Sequence, residues 1–131
     1  MAISGVSHVS LTVGDLARSA AWYRDVLGWQ QLSDGRSDTT TFAYGTLPGG
    51  TTLVLRVHDE PIEGLFDERR PGLDHLSLAA SEIGDLREVE ARLAAAGATY
   101  TPVQVLPFAS VLAFRDPDNI ALELFGPPET S

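Results

Sequence analysis

Val9, Leu11 and Val13 alternate with His8, Ser10 and Thr12 between Val6 and Val13, the two-residue period of a strand with one apolar and one polar face. Beyond Gly14 the rhythm changes. Leu16, Ala20, Tyr23 and Leu27 recur at helical spacing, with Asp15 placed as N-cap and Gly28 as the stop. Trp29 to Leu32 and Thr39 to Tyr44 read as short strands around a polar loop, Ser33 to Asp38. After the turn Leu47-Pro48-Gly49-Gly50, Thr51 to His58 is a strand with Leu53, Leu55 and Val57 on one face and Val54, Arg56 and His58 on the other. Asp59 to Gly72 is charged and broken by Pro and Gly; it reads as a linker with a helical turn near Leu65-Phe66.

The pattern then restarts. Asp74 to Ala79 alternates as a strand, and a helix runs from Ile83 or Asp85 to Ala96 on a stripe of Leu86, Val89, Leu93 and Ala96, closed by Gly97. Tyr100–Leu106, Ser110–Phe114 and Ile120–Phe125 supply three further strands. Each half therefore reads strand, helix, strand, strand, strand, and His8-Val9-Ser10-Leu11 and His75-Leu76-Ser77-Leu78 hold equivalent places in an internal repeat. The predicted fold is α+β: tandem βαβββ modules forming a curved eight-stranded cup, one helix covering each half. Module 1 spans about residues 4–58, the linker 59–72 and module 2 73–126, together a single domain.

One position breaks the pattern. In Ile120-Ala121-Leu122-Glu123-Leu124-Phe125 a carboxylate stands in the middle of an apolar strand, where burial is costly unless a cation, a metal or a hydrogen-bond donor meets it. The turn before it, Asp116-Pro117-Asp118-Asn119, combines a proline with fixed φ and an asparagine that tolerates left-handed backbone. Glu123 can pair with Arg56 or Arg115. It also shares the face turned away from the helices with His8 and His75, and two imidazoles with one carboxylate form a set that binds Fe, Mn, Zn or Ni and leaves open positions.

Composition narrows the classes. The 131 residues contain no cysteine, which removes disulfides, thiolate metal sites and cysteine nucleophiles. A net charge of −9 argues against nucleic-acid binding. Met1 to Gly5 lacks the basic and apolar regions of a signal peptide and no run approaches membrane-span length, so the expected location is cytoplasmic.

His8, the helix carrying Asp15-Leu16, Trp22-Tyr23 and Leu27-Gly28, His75 at the opening of the second half, and Phe114-Arg115-Asp116-Pro117-Asp118 with Leu122-Glu123-Leu124 together resemble the vicinal oxygen chelate superfamily. Its members include glyoxalase I, extradiol dioxygenases, fosfomycin-resistance transferases, methylmalonyl-CoA epimerase and metal-free bleomycin-binding proteins. The resemblance covers almost the whole chain. It implies a divalent metal on His8, His75 and Glu123, a small-molecule ligand, and a homodimer in which His8 and the His75/Glu123 pair come from different chains.

Departures from the family's patterns sort the subfamilies. Where glyoxalase I and the epimerases carry a fourth ligand, Glu or Gln, this chain offers Val54, Arg56 and His58. Where the dioxygenase pattern has Tyr, three residues before Asp116, stands Ala113, and Arg56 alone gives a fosfomycin-type site little basic character. Asn119 stands where many relatives have Gly. By strand parity Ser10, Val54, Ser77, Val111, Ala113 and Phe125, with Ala79 and Ala121, line a roomy, largely apolar pocket; Trp29, Phe42 and Tyr44 either add an aromatic wall or belong to the core. Two functions fit. One is a metal-dependent, dioxygenase- or lyase-like enzyme acting on an aromatic or polyketide-like, oxygen-bearing substrate, with His58 or Arg56 as acid, base or anion clamp. The other is a metal-free protein that sequesters a drug or natural product.

Overall fold

The computed structural model describes residues 2–129. Compact units meet between Glu63 and Gly64. The first contains β1 (Val9–Thr12), α1 (Leu16–Leu27), β2 (Gln30–Ser37), β3 (Thr40–Thr46) and β4 (Thr52–His58); the second contains β5 (Leu76–Ala79), α2 (Ile83–Ala95), β6 (Tyr100–Val105), β7 (Ser110–Arg115) and β8 (Ala121–Gly126). Each forms a four-stranded sheet, ordered β1-β4-β3-β2 and β5-β8-β7-β6. In each the first and last strands pair in parallel, which the helix between them makes possible. Two βαβββ modules of α+β class are therefore present, as the repeat implies.

Both helices follow from local chemistry. The Asp15 side chain accepts a hydrogen bond from the Arg18 N–H at 3.0 Å, and Gly28 ends α1 at φ 72°, its N–H donating to the Arg24 carbonyl. At α2 the Asp85 carboxylate accepts from the Ser81 and Glu82 N–H groups at 3.2 Å. α1 packs on β3 and β4, and α2 on β6, β7 and β8. Tyr23, Val26 and Leu27 of α1 and Leu53 and Leu55 of β4 are buried in the first unit; Leu86 and Leu93 of α2 and Leu112, Leu122 and Leu124 of the sheet are buried in the second. Full burial of each such side chain stabilises by about 1.5–3 kcal/mol.

Two local expectations, the polar loop and the helical turn, need correction, and one open alternative is decided. Ser33 to Asp38 is not a loop: β2 continues to Ser37, paired with β3 across a bulge between Gln31 and Ser33. Its residues are polar and mostly exposed, so an edge strand held by its backbone ladder carries no apolar alternation to read. Within the linker stretch the Phe66 N–H donates to the Asp118 carbonyl and the Asn119 side-chain amide donates to the Phe66 carbonyl, both at 3.0 Å. No helix forms at Leu65-Phe66. Trp29 belongs to the core: it is 2% exposed and its indole N–H donates to the Leu53 carbonyl at 3.0 Å.

Candidate functional site

The Asp116–Asn119 turn aims β8. Asp116 Oδ1 accepts from the N–H groups of Asp118 and Ile120 at 2.8 and 2.9 Å, and Asn119 takes φ 66°, the left-handed value expected of it. β8 leaves this turn with Leu122 and Leu124 buried in the core and Glu123 on the opposite face, in register with Ser77 on β5 and Ala113 on β7. Phe125, one step along the same face, is exposed and pairs with Ala79 and Val111.

Glu123 is met by His75. The imidazole Nε2 lies 3.4 Å from Glu123 Oε1, with the carboxylate side chain 21% exposed. On the ring's other side His75 Nδ1 donates to Asp74 Oδ1 at 2.7 Å. A carboxylate only accepts, so this bond places the proton on Nδ1 and leaves the Nε2 lone pair directed at the Glu123 side in the neutral ring. Asp74 also raises the His75 pKa above its usual value, and Glu123 adds to that shift against the opposing effect of burial. Neither arginine weighed as a partner for Glu123 takes that place: Arg115 holds Glu68, with contacts of 2.9 and 3.0 Å, and Arg56 bonds Thr40.

A half-exposed ion pair contributes at most about 1 kcal/mol, less than an apolar side chain well buried at the same place. Stability alone therefore gives a poor account of a carboxylate here. The surrounding cleft, ≈ 310 Å³, is lined by Ala113, Ala121, Thr101 and Tyr100 as well as by Asp74, His75, Glu68 and Glu123. Its lining also takes in Phe114, Leu122 and Arg115, and its charged groups are mainly acidic.

In module 1 His8 immediately precedes β1, whose pairing with β4 begins at Val9; the ring is exposed and its Nδ1 lies 3.0 Å from Ser7 Oγ. Among the described residues no three His, Asp or Glu side chains form a group able to hold a metal. His75 and Glu123 thus supply two converging donors with an orienting carboxylate behind one of them. An imidazole nitrogen and a carboxylate oxygen are donors of the kind that divalent ions take. Ser10 is opposite Val54, which is buried, and Tyr44 and Phe42 flank Val54 and Arg56 on β3. His58 Nε2 lies 3.5 Å from Thr12 Oγ1 at the exposed end of β4. Asp74 and Glu68 were not anticipated: Asp74 is signalled only by adjacency to His75, and Glu68 by nothing in the linker's pattern.

The family model for the Glyoxalase/Bleomycin resistance protein/Dioxygenase superfamily matches residues 5–124. The chain belongs to this superfamily. A glyoxylase/bleomycin resistance protein/dioxygenase domain from Frankia sp. EAN1pec is 57% identical, with a TM-score of 0.94 over 99% of this chain and 96% of that one. Other superfamily structures share the fold at lower identity. A glyoxalase family protein from Enterococcus faecalis is 23% identical at TM-score 0.76, covering 95% of this chain and 99% of that one. The fosfomycin resistance protein FosX from Listeria monocytogenes, in a mutant form complexed with Mn(II) and 1S,2S-dihydroxypropylphosphonic acid, is 21% identical at TM-score 0.70, covering 93% and 89%. Comparison with curated proteins found no match. Among the described residues no helix is long and apolar enough to cross a membrane.

Proposed function

We propose that this superfamily member is a metal-dependent enzyme whose site is built on His75 and Glu123 and completed by His8 of a second copy of the chain. The contact of His75 Nε2 with Glu123 Oε1, backed by Asp74 on Nδ1, carries this reading. Asp74 fixes the tautomer in which Nε2 can donate its lone pair, and the β8 register sets the carboxylate beside it. A divalent ion bound there would act as a Lewis acid on adjacent substrate oxygens or activate dioxygen, the chemistry of lyase- and dioxygenase-like relatives. Ala113, Val111, Ser77 and Phe125 share the Glu123 face and would bound an oxygen-bearing substrate of partly apolar, aromatic or polyketide-like character. Support for a metal also comes from FosX, crystallised with Mn(II).

The test is metal analysis of purified protein after reconstitution with Fe, Mn, Zn or Ni, beside His75→Ala and Glu123→Gln. Stoichiometric metal in the wild type and its loss in both variants is the expected result. Absence of bound metal from reconstituted wild type would overturn the proposal.

A second reading is metal-free sequestration of a drug or natural product. It is favoured by the His75–Glu123 contact itself, since a protonated His75 is already a counter-charge for Glu123. It predicts a ligand that is recovered chemically unchanged and whose affinity is indifferent to chelator.

A further inference from the structure

The strongest unexplained feature outside the His75/Glu123 site is Arg56. This acidic chain has no lysine; its permanent cations are all arginines. Among the described residues Arg24, Arg36, Arg69, Arg92 and Arg115 each lie against a carboxylate and Arg70 and Arg87 are exposed to solvent, whereas Arg56 is half-buried on the open face of the first sheet with no carboxylate against it. A guanidinium withdrawn from water without an anion is costly unless its position serves another purpose.

The side chain is held firmly all the same. Arg56 Nη1 donates to Thr40 Oγ1 at 2.6 Å, and Thr40, itself buried, donates its own proton to the Ser37 carbonyl at 3.2 Å. Arg56 Nε donates to Ser10 Oγ at 3.4 Å, and the guanidinium carbon stands 4.9 Å from the centre of the Phe42 ring. These bonds use two of the five N–H groups. The other three have no acceptor among the described residues, and a guanidinium fixed in this way matches the two oxygens of a carboxylate. One rung along the same face, Val54 opposite Tyr44 provides an apolar neighbour for the rest of a ligand.

We infer that Arg56, braced by Thr40, Ser10 and Phe42, is a carboxylate-binding subsite for an organic anion with an aryl-sized apolar body. This deepens the proposed function by naming the substrate's charge, and rests on it only in taking the bound anion to be the substrate. The position is specificity-determining: Arg56 offers a cation one rung along β4 from Val54, which pairs with Ser10 as Glu123 pairs with Ser77.

The probe is benzoate, titrated into EDTA-treated, ¹⁵N-labelled protein, with benzyl alcohol as the uncharged control and inorganic phosphate as a second oxyanion. Benzoate should shift the Arg56 Nε–H resonance saturably while that of Arg87, outside the site, stays in place. Arg56→Gln should weaken benzoate at least about tenfold, the scale expected for a charged hydrogen bond, and Arg56→Lys should restore part of the loss. Benzyl alcohol should bind weakly and with no dependence on residue 56. Phosphate binding as tightly as benzoate would overturn the assignment to a carboxylate with an apolar body. Equal benzoate affinity in Arg56→Gln, or an Arg87 response as large as that of Arg56, would overturn the subsite altogether. If Arg56→Gln does not fold, the wild-type resonances decide alone. His75→Ala separates the two proposals: it should abolish metal binding and leave benzoate binding intact.

Discussion

His75, immediately before β5, approaches Glu123 on the neighbouring parallel strand β8, Nε2 to Oε1 at 3.4 Å, while Asp74 grips the far side of the imidazole at 2.7 Å. The order carboxylate, imidazole, carboxylate gives the pair a direction: Asp74 holds the ring, and Nε2 and Glu123 offer the donors. Asp74→Asn keeps the shape but weakens the orienting bond. It should reduce divalent-metal affinity about 10- to 100-fold without loss of folding, measured by competitive chelator titration. An unchanged affinity would place Asp74 outside the site's function.

The second pH-sensitive contact ties residues 64–72 to the β7–β8 turn. The Arg115 guanidinium, hydrogen-bonded to both oxygens of Glu68, lowers the Glu68 pKa from 4.5 to about 2. A carboxylate whose folded pKa is depressed contributes stability that is fully present above its unfolded value and lost as pH falls through the folded one. Wild type should therefore gain over Glu68→Gln as pH rises from about 2 to about 4.5 and keep a constant advantage above that. Thermal melts at a series of pH values measure it. Both side chains are partly exposed, so added salt should shrink the difference.

The closeness of His75 and Glu123 was legible in the sequence, because Glu123 violates a strand's alternation and His75 sits at the repeat's matching place. The helices announced themselves through Asp15, Gly28 and the apolar stripes. What stayed hidden lacked an apolar signature. β2 is an edge strand with polar residues on both faces, so nothing marks it as ordered until β3 is beside it. Residues 64–72 are positioned by Asn119 and Arg115, partners far along the chain. Trp29 could be wall or core on pattern alone; its bond to the Leu53 carbonyl decides for the core.

That buried tryptophan imposes its own constraint. A Cβ placed on Gly45 would stand 2.4 Å from the Gln30 carbonyl oxygen and 2.5 Å from Trp29 Cε2. Backbone on one side and a hydrogen-bonded indole on the other leave little room to yield. Gly45→Ala should cost about 1–3 kcal/mol, the usual penalty of overpacking a core, read as a lower midpoint in urea. A neutral substitution would show that the β2–β3 pair is looser than the indole bond implies.

Asn119 tests the turn that aims Glu123. At φ 66° it bears a small conformational cost that glycine would not, but its side-chain amide also holds the Phe66 carbonyl. Asn119→Gly should therefore leave stability within about 1 kcal/mol of wild type, strain relief offsetting the lost bond. Asn119→Val loses the bond and adds a β-branched side chain to left-handed backbone, and should cost about 2–3 kcal/mol. Denaturant melts compare the three proteins directly.

Completion of the site by a second copy has a quantitative consequence. If His8 and the His75/Glu123 pair serve one site from different chains of a symmetric dimer, His8→Ala and His75→Ala homodimers have no intact site. A heterodimer of the two has one: the His8→Ala chain brings His75 and Glu123, and the other chain brings His8. Unfolding and refolding an equimolar mixture should make half of the dimers mixed, and so restore about a quarter of the wild-type metal stoichiometry. Neither variant alone should bind metal above background. Recovery of a quarter identifies a shared site, because two chains that each built a complete site would gain nothing from mixing. A mixture as empty as its parents, with mixed dimers verified by native mass spectrometry, would remove His8 of a second copy from the site and leave His75 and Glu123 as a two-donor pair.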